Sequence, residues 1–156
     1  MRRVVVLAPF SGRVLRLEDV PDPVFSDRLI GDGLAIDPMD GVGCSPLSGK
    51  LTTFHSAGHA FVVQASEGEV AVLVHVGLNT VHMRGQGFAR LAKDNDQVTA
   101  GQVLVRFDLA AIAAAGYSAI SPVVLPDLPS HFRVERTTAE DVRAAEDVLL
   151  TVEIPD

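Results

Sequence analysis

The chain has 156 residues, 47% of them hydrophobic and 21% charged, with a formal net charge of -7. That length suits one domain with a real core and is short for two, and the composition is that of a globular protein rather than a disordered one. The negative balance argues against nucleic acid and against an anionic membrane surface as partners, since both want a basic face. Cys44 is the only cysteine, so no internal disulfide forms and no zinc–thiolate cluster is available; a reducing compartment fits.

In chain order, Val4–Leu7 is an apolar run too short for a signal peptide; Pro9, Ser11 and Gly12 break it, and a first strand is expected there. No segment approaches the ~18 apolar residues of a membrane helix, so no membrane insertion is expected. Further strands are expected at Gly12–Leu17, Gly33–Asp37, Gly49–Phe54, His59–Ala65, Glu69–Val76, Val103–Phe107, Ser121–Leu125 and Val148–Glu153. Asp37–Ser45 and Leu125–His131 read as surface loops, and Asp94-Asn95-Asp96 as a turn. Glu18, Asp19, Asp22 and Asp32 have no metal-loop spacing and are expected to cap turns. Lys50 lacks the neighbours of a carrier lysine at a hairpin tip. One helix is expected after Asp108, which caps its start, with Gly116 at its end. Short β-rich runs between turn residues indicate an all-β sandwich or barrel.

Two internal similarities point to duplication. Pro9-Phe10-Ser11-Gly12-Arg13-Val14 resembles Pro46-Leu47-Ser48-Gly49-Lys50-Leu51, and the segment from Asp96 to Val105 resembles that from Glu140 to Leu149. Each pair reads as one turn-and-strand solution used twice, which suggests a sandwich with internal pseudo-symmetry.

The chemistry lies in a hairpin. Two β-branched runs, His59–Ala65 and Glu69–Val76, flank Ser66-Glu67-Gly68, where Gly68 suits the left-handed position of a three-residue loop. That loop sets Ala65 against Glu69 and, counting outward, His59 against His75, on one face. A one-residue slip would send the two rings to opposite faces. Two neighbouring imidazoles can handle one small anion, metal ion or proton. A neutral ring nitrogen is a nucleophile at cellular pH, and a neighbouring N–H can donate to a phosphoryl oxygen. Phosphoryl transfer needs little beyond such positioning and electrostatics.

The residues Val72-Leu73-Val74-His75-Val76-Gly77-Leu78-Asn79-Thr80-Val81 resemble the phosphorylation-site signature of the glucose-type enzyme IIA domain of the bacterial phosphoenolpyruvate-dependent sugar phosphotransferase system. The resemblance extends to His59-Ala60-Phe61, Gly85-Gln86-Gly87-Phe88, the stretch from Leu17 to Ser26, Gly31–Ile36 and Ser121–Val124, in the family's order. It implies an antiparallel β-sandwich of the duplicated hybrid-motif (barrel-sandwich) type over residues 1–156, free-standing and cytoplasmic, with no cofactor and no metal. It implies that His75 accepts a phosphoryl group from the phosphocarrier HPr. The group then passes to a cysteine on the IIB domain of a membrane sugar permease. His59 would serve mainly the onward step, and Thr80 would hydrogen-bond the histidines. Asn79 stands where an aspartate is common, Ala57-Gly58 where a Thr-Asn pair occurs, His55 where a bulky apolar residue often rims the site, and His82 for what is often an acidic residue. His55, His82 and His131 are expected to be ordinary surface or rim residues.

Two other functions compete. The resemblance also implies a regulatory protein whose dephosphorylated face inhibits transporters or metabolic enzymes, a contact that phosphate charge would disrupt. A sandwich-type zinc hydrolase would need three protein ligands, of which His59 and His75 supply two.

Overall fold

The computed structural model describes residues 1–156. Its strands are β1 Arg2–Leu7, β2 Gly12–Arg16, β3 Gly31–Pro38, β4 Val42–Cys44, β5 Gly49–Phe54, β6 Ala60–Ala65, β7 Ala71–His75, β8 Phe88–Arg90, β9 Gln97–Val98, β10 Val103–Phe107, β11 Ser121–Pro126, β12 Arg133–Arg136, β13 Asp141–Val142 and β14 Val148–Ile154. Short helices α1 (Pro23–Ser26) and α2 (Leu109–Ala114) and 3-10 turns at Leu17–Asp19 and Thr80–Met83 connect them. All strand pairs are antiparallel, in one large sheet ordered β13-β2-β3-β11-β7-β6-β5-β9 and two small sheets, β1-β14-β12 and β4-β10-β8. This is the expected antiparallel β-sandwich. No helix is long and apolar enough to cross a membrane.

Alternation along the strands separates two apolar regions. Leu34, Ile36, Phe61, Val63, Val72, Val74, Val123 and Leu125 point into the main core, where they meet Val4, Val6, Leu149 and Val152. The intervening Ala35 and Val124 point to the opposite face. There the segment between β2 and β3 covers them with Leu17, Val20 and Phe25. That covering segment is built locally: the Asp22 carboxylate accepts the Val24 amide at 3.1 Å, and Pro23 starts α1. Its far end is tied down by Arg28, which bonds both Glu18 and Asp32, while Asp32 also bonds Arg136.

Several expectations need correction. Asp37–Ser45 is not a surface loop: β3 runs to Pro38, and β4 pairs with β10 and buries Cys44. Gly41 and Gly43 allow this, because a Cβ on Gly41 would strike the Phe107 carbonyl and one on Gly43 would strike Val105. β8, β9, β12 and β13 went unforeseen. β12 carries Arg133, Glu135 and Arg136 on an exposed edge, a charge pattern suited to a sheet margin but opaque to hydrophobic periodicity. The expected helix is present as α2, with Asp108 accepting the Ala111 amide at 3.1 Å and Gly116 left-handed just beyond it.

The duplication is written in the hydrogen bonds. Leu7 N–H donates to Pro46 O, and Cys44 N–H donates to Pro9 O. Ala144 N–H donates to Ser11 Oγ and Ala100 N–H to Ser48 Oγ, each at 2.9 Å. Ala145 N–H reaches Ala8 O as Gly101 N–H reaches Ser45 O, and both Ala145 and Gly101 are left-handed. The large sheet reads alike from either end, with β11 and β7 paired at its centre through Val123 and Val74. Val124 opposes Gly33 as His75 opposes Ala60. The pseudo-twofold axis therefore maps His75 onto Val124, and one step beyond Gly33 and Ala60 it maps His59 onto Asp32.

Candidate functional site

The β6–β7 hairpin is close to the expected one but differs in register. Gly68 is left-handed and its amide bonds Ala65 O at 2.9 Å, yet Ala65 N–H bonds Val70 O at 2.8 Å. The loop is therefore the four residues Ser66 to Glu69, and Ala60 rather than His59 opposes His75. A strict pleat would then part the two rings. They meet all the same, with centroids 5.2 Å apart and planes at 71°. His59 lies in a bend before the first paired residue of β6, beside left-handed Gly58, so strand alternation does not govern its direction. Its carbonyl accepts the Val76 amide at 2.6 Å, which holds the bend against the end of β7.

His75 is oriented by its own backbone. Its Nδ1 lies 2.6 Å from Gly77 O, so Nδ1 carries the proton and donates, and Nε2 keeps a free lone pair. Gly77 is fixed in turn: its amide donates to Ser121 Oγ at 3.0 Å, and the Ser121 hydroxyl donates to Ala119 O at 2.8 Å. Gly77 is left-handed, and a Cβ there would lie 2.6 Å from Thr80 Cγ2 and 2.9 Å from Ser118 O. Gly77→Ala is expected to cost roughly 1–3 kcal/mol in chemical denaturation, from backbone strain and overpacking together.

Thr80 sits fully buried beneath the site. Its hydroxyl donates to Val76 O and not to a ring, so it secures the turn after His75. Asn79, before it, is left-handed, a conformation asparagine tolerates well. Over His75 lies the Phe25 ring, with centroids 5.5 Å apart. Neither Phe25, in α1, nor Asp22, which caps its start, is marked by the hairpin or the motif; both lie about fifty positions earlier in the chain. His55 is exposed, as expected of a surface or rim residue, and its ring lies 4.3 Å from that of His59. His82 instead faces Tyr117, and His131 packs on Phe132.

His59 is 4% exposed, and its Nδ1 is enclosed with no hydrogen-bond partner. Burial, then the neighbouring His75 and His55, pushes its pKa down to about 4. His75 is also lowered, by burial and more weakly by His55, against the opposing pull of the Gly77 carbonyl and Asp22. Both rings are thus held neutral near pH 7. The unfolded chain binds the His59 proton from pH 6.5 downward while the folded chain refuses it until about 4. Stability from this group is therefore complete above 6.5 and lost as pH falls toward 4, by up to about 3 kcal/mol. Urea midpoints should fall between pH 7 and pH 4.5, and His59→Phe should flatten that fall.

Residues 4–129 match the family model for "phosphoenolpyruvate-dependent sugar phosphotransferase system, EIIA 1". The "PTS system glucose-specific EIIA component" of Oceanobacillus iheyensis is 35% identical over 151 residues, covering 97% of this chain and 91% of its own. The protein of the same description from Haemophilus influenzae is 34% identical over 149 residues, covering 96% and 89%. Among solved structures, glucose permease IIA from Mycoplasma capricolum superposes with a TM-score of 0.90 at 35% identity, covering 97% of this chain and 96% of its own.

Proposed function

The chain belongs to the EIIA 1 family of the phosphoenolpyruvate-dependent sugar phosphotransferase system, and from that premise we propose that it carries a phosphoryl group on Nε2 of His75, received from HPr and passed to the IIB domain of a membrane sugar permease. The observation that carries the assignment is the 2.6 Å contact between His75 Nδ1 and Gly77 O, which leaves Nε2 as the free nucleophile. Residues 1–156 act as one IIA unit, working in the cytoplasm at the permease's inner face.

In the first step the Nε2 lone pair forms a bond to phosphorus as the bond to HPr breaks, and the leaving electron pair stays with HPr. Positive charge develops on the His75 ring, where the Nδ1–H bond to the Gly77 carbonyl stabilises it. His59 makes no side-chain hydrogen bond; its Nδ1 is enclosed, and its ring stands 5.2 Å from that of His75. With its proton on Nε2, it donates to a phosphoryl oxygen. Phe25 and the covering segment limit water beside the labile P–N bond. In the second step a thiolate of the IIB domain attacks phosphorus, and the P–N electron pair returns to Nε2.

The test is incubation with phosphoenolpyruvate, enzyme I and HPr, followed by mass spectrometry under conditions that keep acid-labile phosphate. Label on His75 is expected; label on another residue would overturn the assignment.

A further inference from the structure

Three histidines gather at this site rather than two. His55 directly follows β5, and its ring lies closer to His59 than His59 lies to His75, at 4.3 Å against 5.2 Å between centroids. The ring is held in place. The Ala57 amide donates to its Nδ1 at 3.0 Å, and the tight turn around it closes through His55 N–H to Ala60 O at 2.9 Å and Gly58 N–H to His55 O at 2.8 Å. Because Nδ1 accepts, the neutral ring carries its proton on Nε2. His55 is exposed, His75 half-buried and His59 buried. Of the three rings, His55 is the one on which a second proton costs least hydration. That proton would displace the Ala57 amide from Nδ1, and at an exposed turn water replaces such a bond.

The groups around this ring carry charge of both signs, and the arginines among them oppose a proton there until a new negative charge arrives. The segment after the Thr80–Met83 turn packs on the His55 turn, with Gly85 against Ala57, and Phe88 and Arg90 against Gly58. It brings Arg84 and Arg90, and the Arg90 guanidinium stacks over Phe54 at 5.4 Å. Asp94 accepts the Phe54 amide at 2.7 Å. On the far side stand His59 and, beyond it, His75, whose proton affinity the Asp22 carboxylate raises. In the unphosphorylated site the His55 ring has the neutral His59 ring as its close neighbour and no carboxylate bonded to it.

We propose that His55 is the charge partner of the phosphoryl group: when His75 is phosphorylated, His55 takes up a proton and its imidazolium offsets the new negative charge. This rests on His75 being the acceptor. The phosphate adds roughly -1.5 to -2 charges close to the ring cluster. His55 acts through space, across His59, without touching the phosphorus. Closeness already shows in the unphosphorylated protein, where His55 is a lesser cause, after burial, of the lowered proton affinity of both His59 and His75. By linkage, whatever factor the phosphate adds to proton affinity, the proton adds to retention of the phosphate. For charges several ångströms apart in a partly wet site, that factor is on the order of tenfold.

The experiment follows the His55 ring by NMR in the free and the phosphorylated protein, and measures the transfer equilibrium with phospho-HPr at pH 6 and pH 8.5. Phosphorylation is expected to move the His55 titration midpoint upward by about one pH unit. The wild-type equilibrium should favour the phosphorylated carrier about tenfold more at pH 6, relative to pH 8.5, than that of His55→Gln or His55→Phe. Both variants should still be labelled on His75, since neither change touches its nitrogen. An unmoved midpoint, or variants with the wild-type pH profile, would overturn the role of His55. Label found away from His75 in the wild-type protein would instead remove the reading on which it rests.

Discussion

His75→Gln is expected to eliminate phosphate transfer from phospho-HPr, with a loss of more than about 10,000-fold in the labelling rate. The substitution removes the Nε2 lone pair, and an amide nitrogen does not replace it as a nucleophile. His59 stands 5.2 Å away and is not expected to substitute, because its Nδ1 is enclosed and, in the proposed mechanism, its Nε2 carries the proton. The fold should survive. His75 is half-buried at the last position of β7, and the sheet is held by Val72 and Val74 on its inner face. Unchanged thermal unfolding beside lost labelling would assign the effect to chemistry. Residual labelling within tenfold of wild type would show that another residue accepts the group.

His59→Phe separates the two half-reactions. Acceptance from HPr should slow only modestly, and delivery to the IIB domain should fall by roughly 100- to 1,000-fold, the cost of losing one donor aimed at developing charge. The asymmetry comes from the nucleophile. A neutral imidazole attacks in the first step, but an anionic thiolate must approach an anionic phosphoryl group in the second. The donor that drains charge from the phosphoryl oxygens then matters more. Phenylalanine keeps a planar aromatic ring and removes the enclosed, unpaired Nδ1, a gain that offsets the packing cost of its larger ring at this buried position. Single-turnover transfer from labelled protein to a purified IIB domain measures the second step by itself. Equal slowing of both steps would contradict this division of labour.

Much of this could be read from the residues, and the failures have physical causes. β5 and β10 lie where the sequence puts them, because Val, Leu, Thr and Phe alternate there between turn residues. β4 was missed because its three residues are too few to show a period and its glycines contribute no apolar face. The hairpin register missed by one residue because three- and four-residue loops can both place a left-handed glycine at Gly68. Only the Ala65–Val70 bond distinguishes them. The rings still met, since the bend at His59 lies outside the ladder whose register shifted. His75 and His59 were legible from spacing and motif. Phe25 was not, because its position over His75 depends on how the β2–β3 connection folds across the sheet.

The pseudo-twofold axis maps His75 onto Val124 and His59 onto Asp32. Val124 is sealed beneath Leu17, Val20 and Phe25, and Asp32 is committed to Arg28 and Arg136. With His75 as the proposed acceptor, the duplicated scaffold is monovalent: one half reacts, while the long connection of the other half serves as its roof. Donor and recipient must therefore take turns at a single socket, and no ternary complex with both seated at His75 is available to speed the relay. An excess of either partner is then expected to act as a competitive brake on the other.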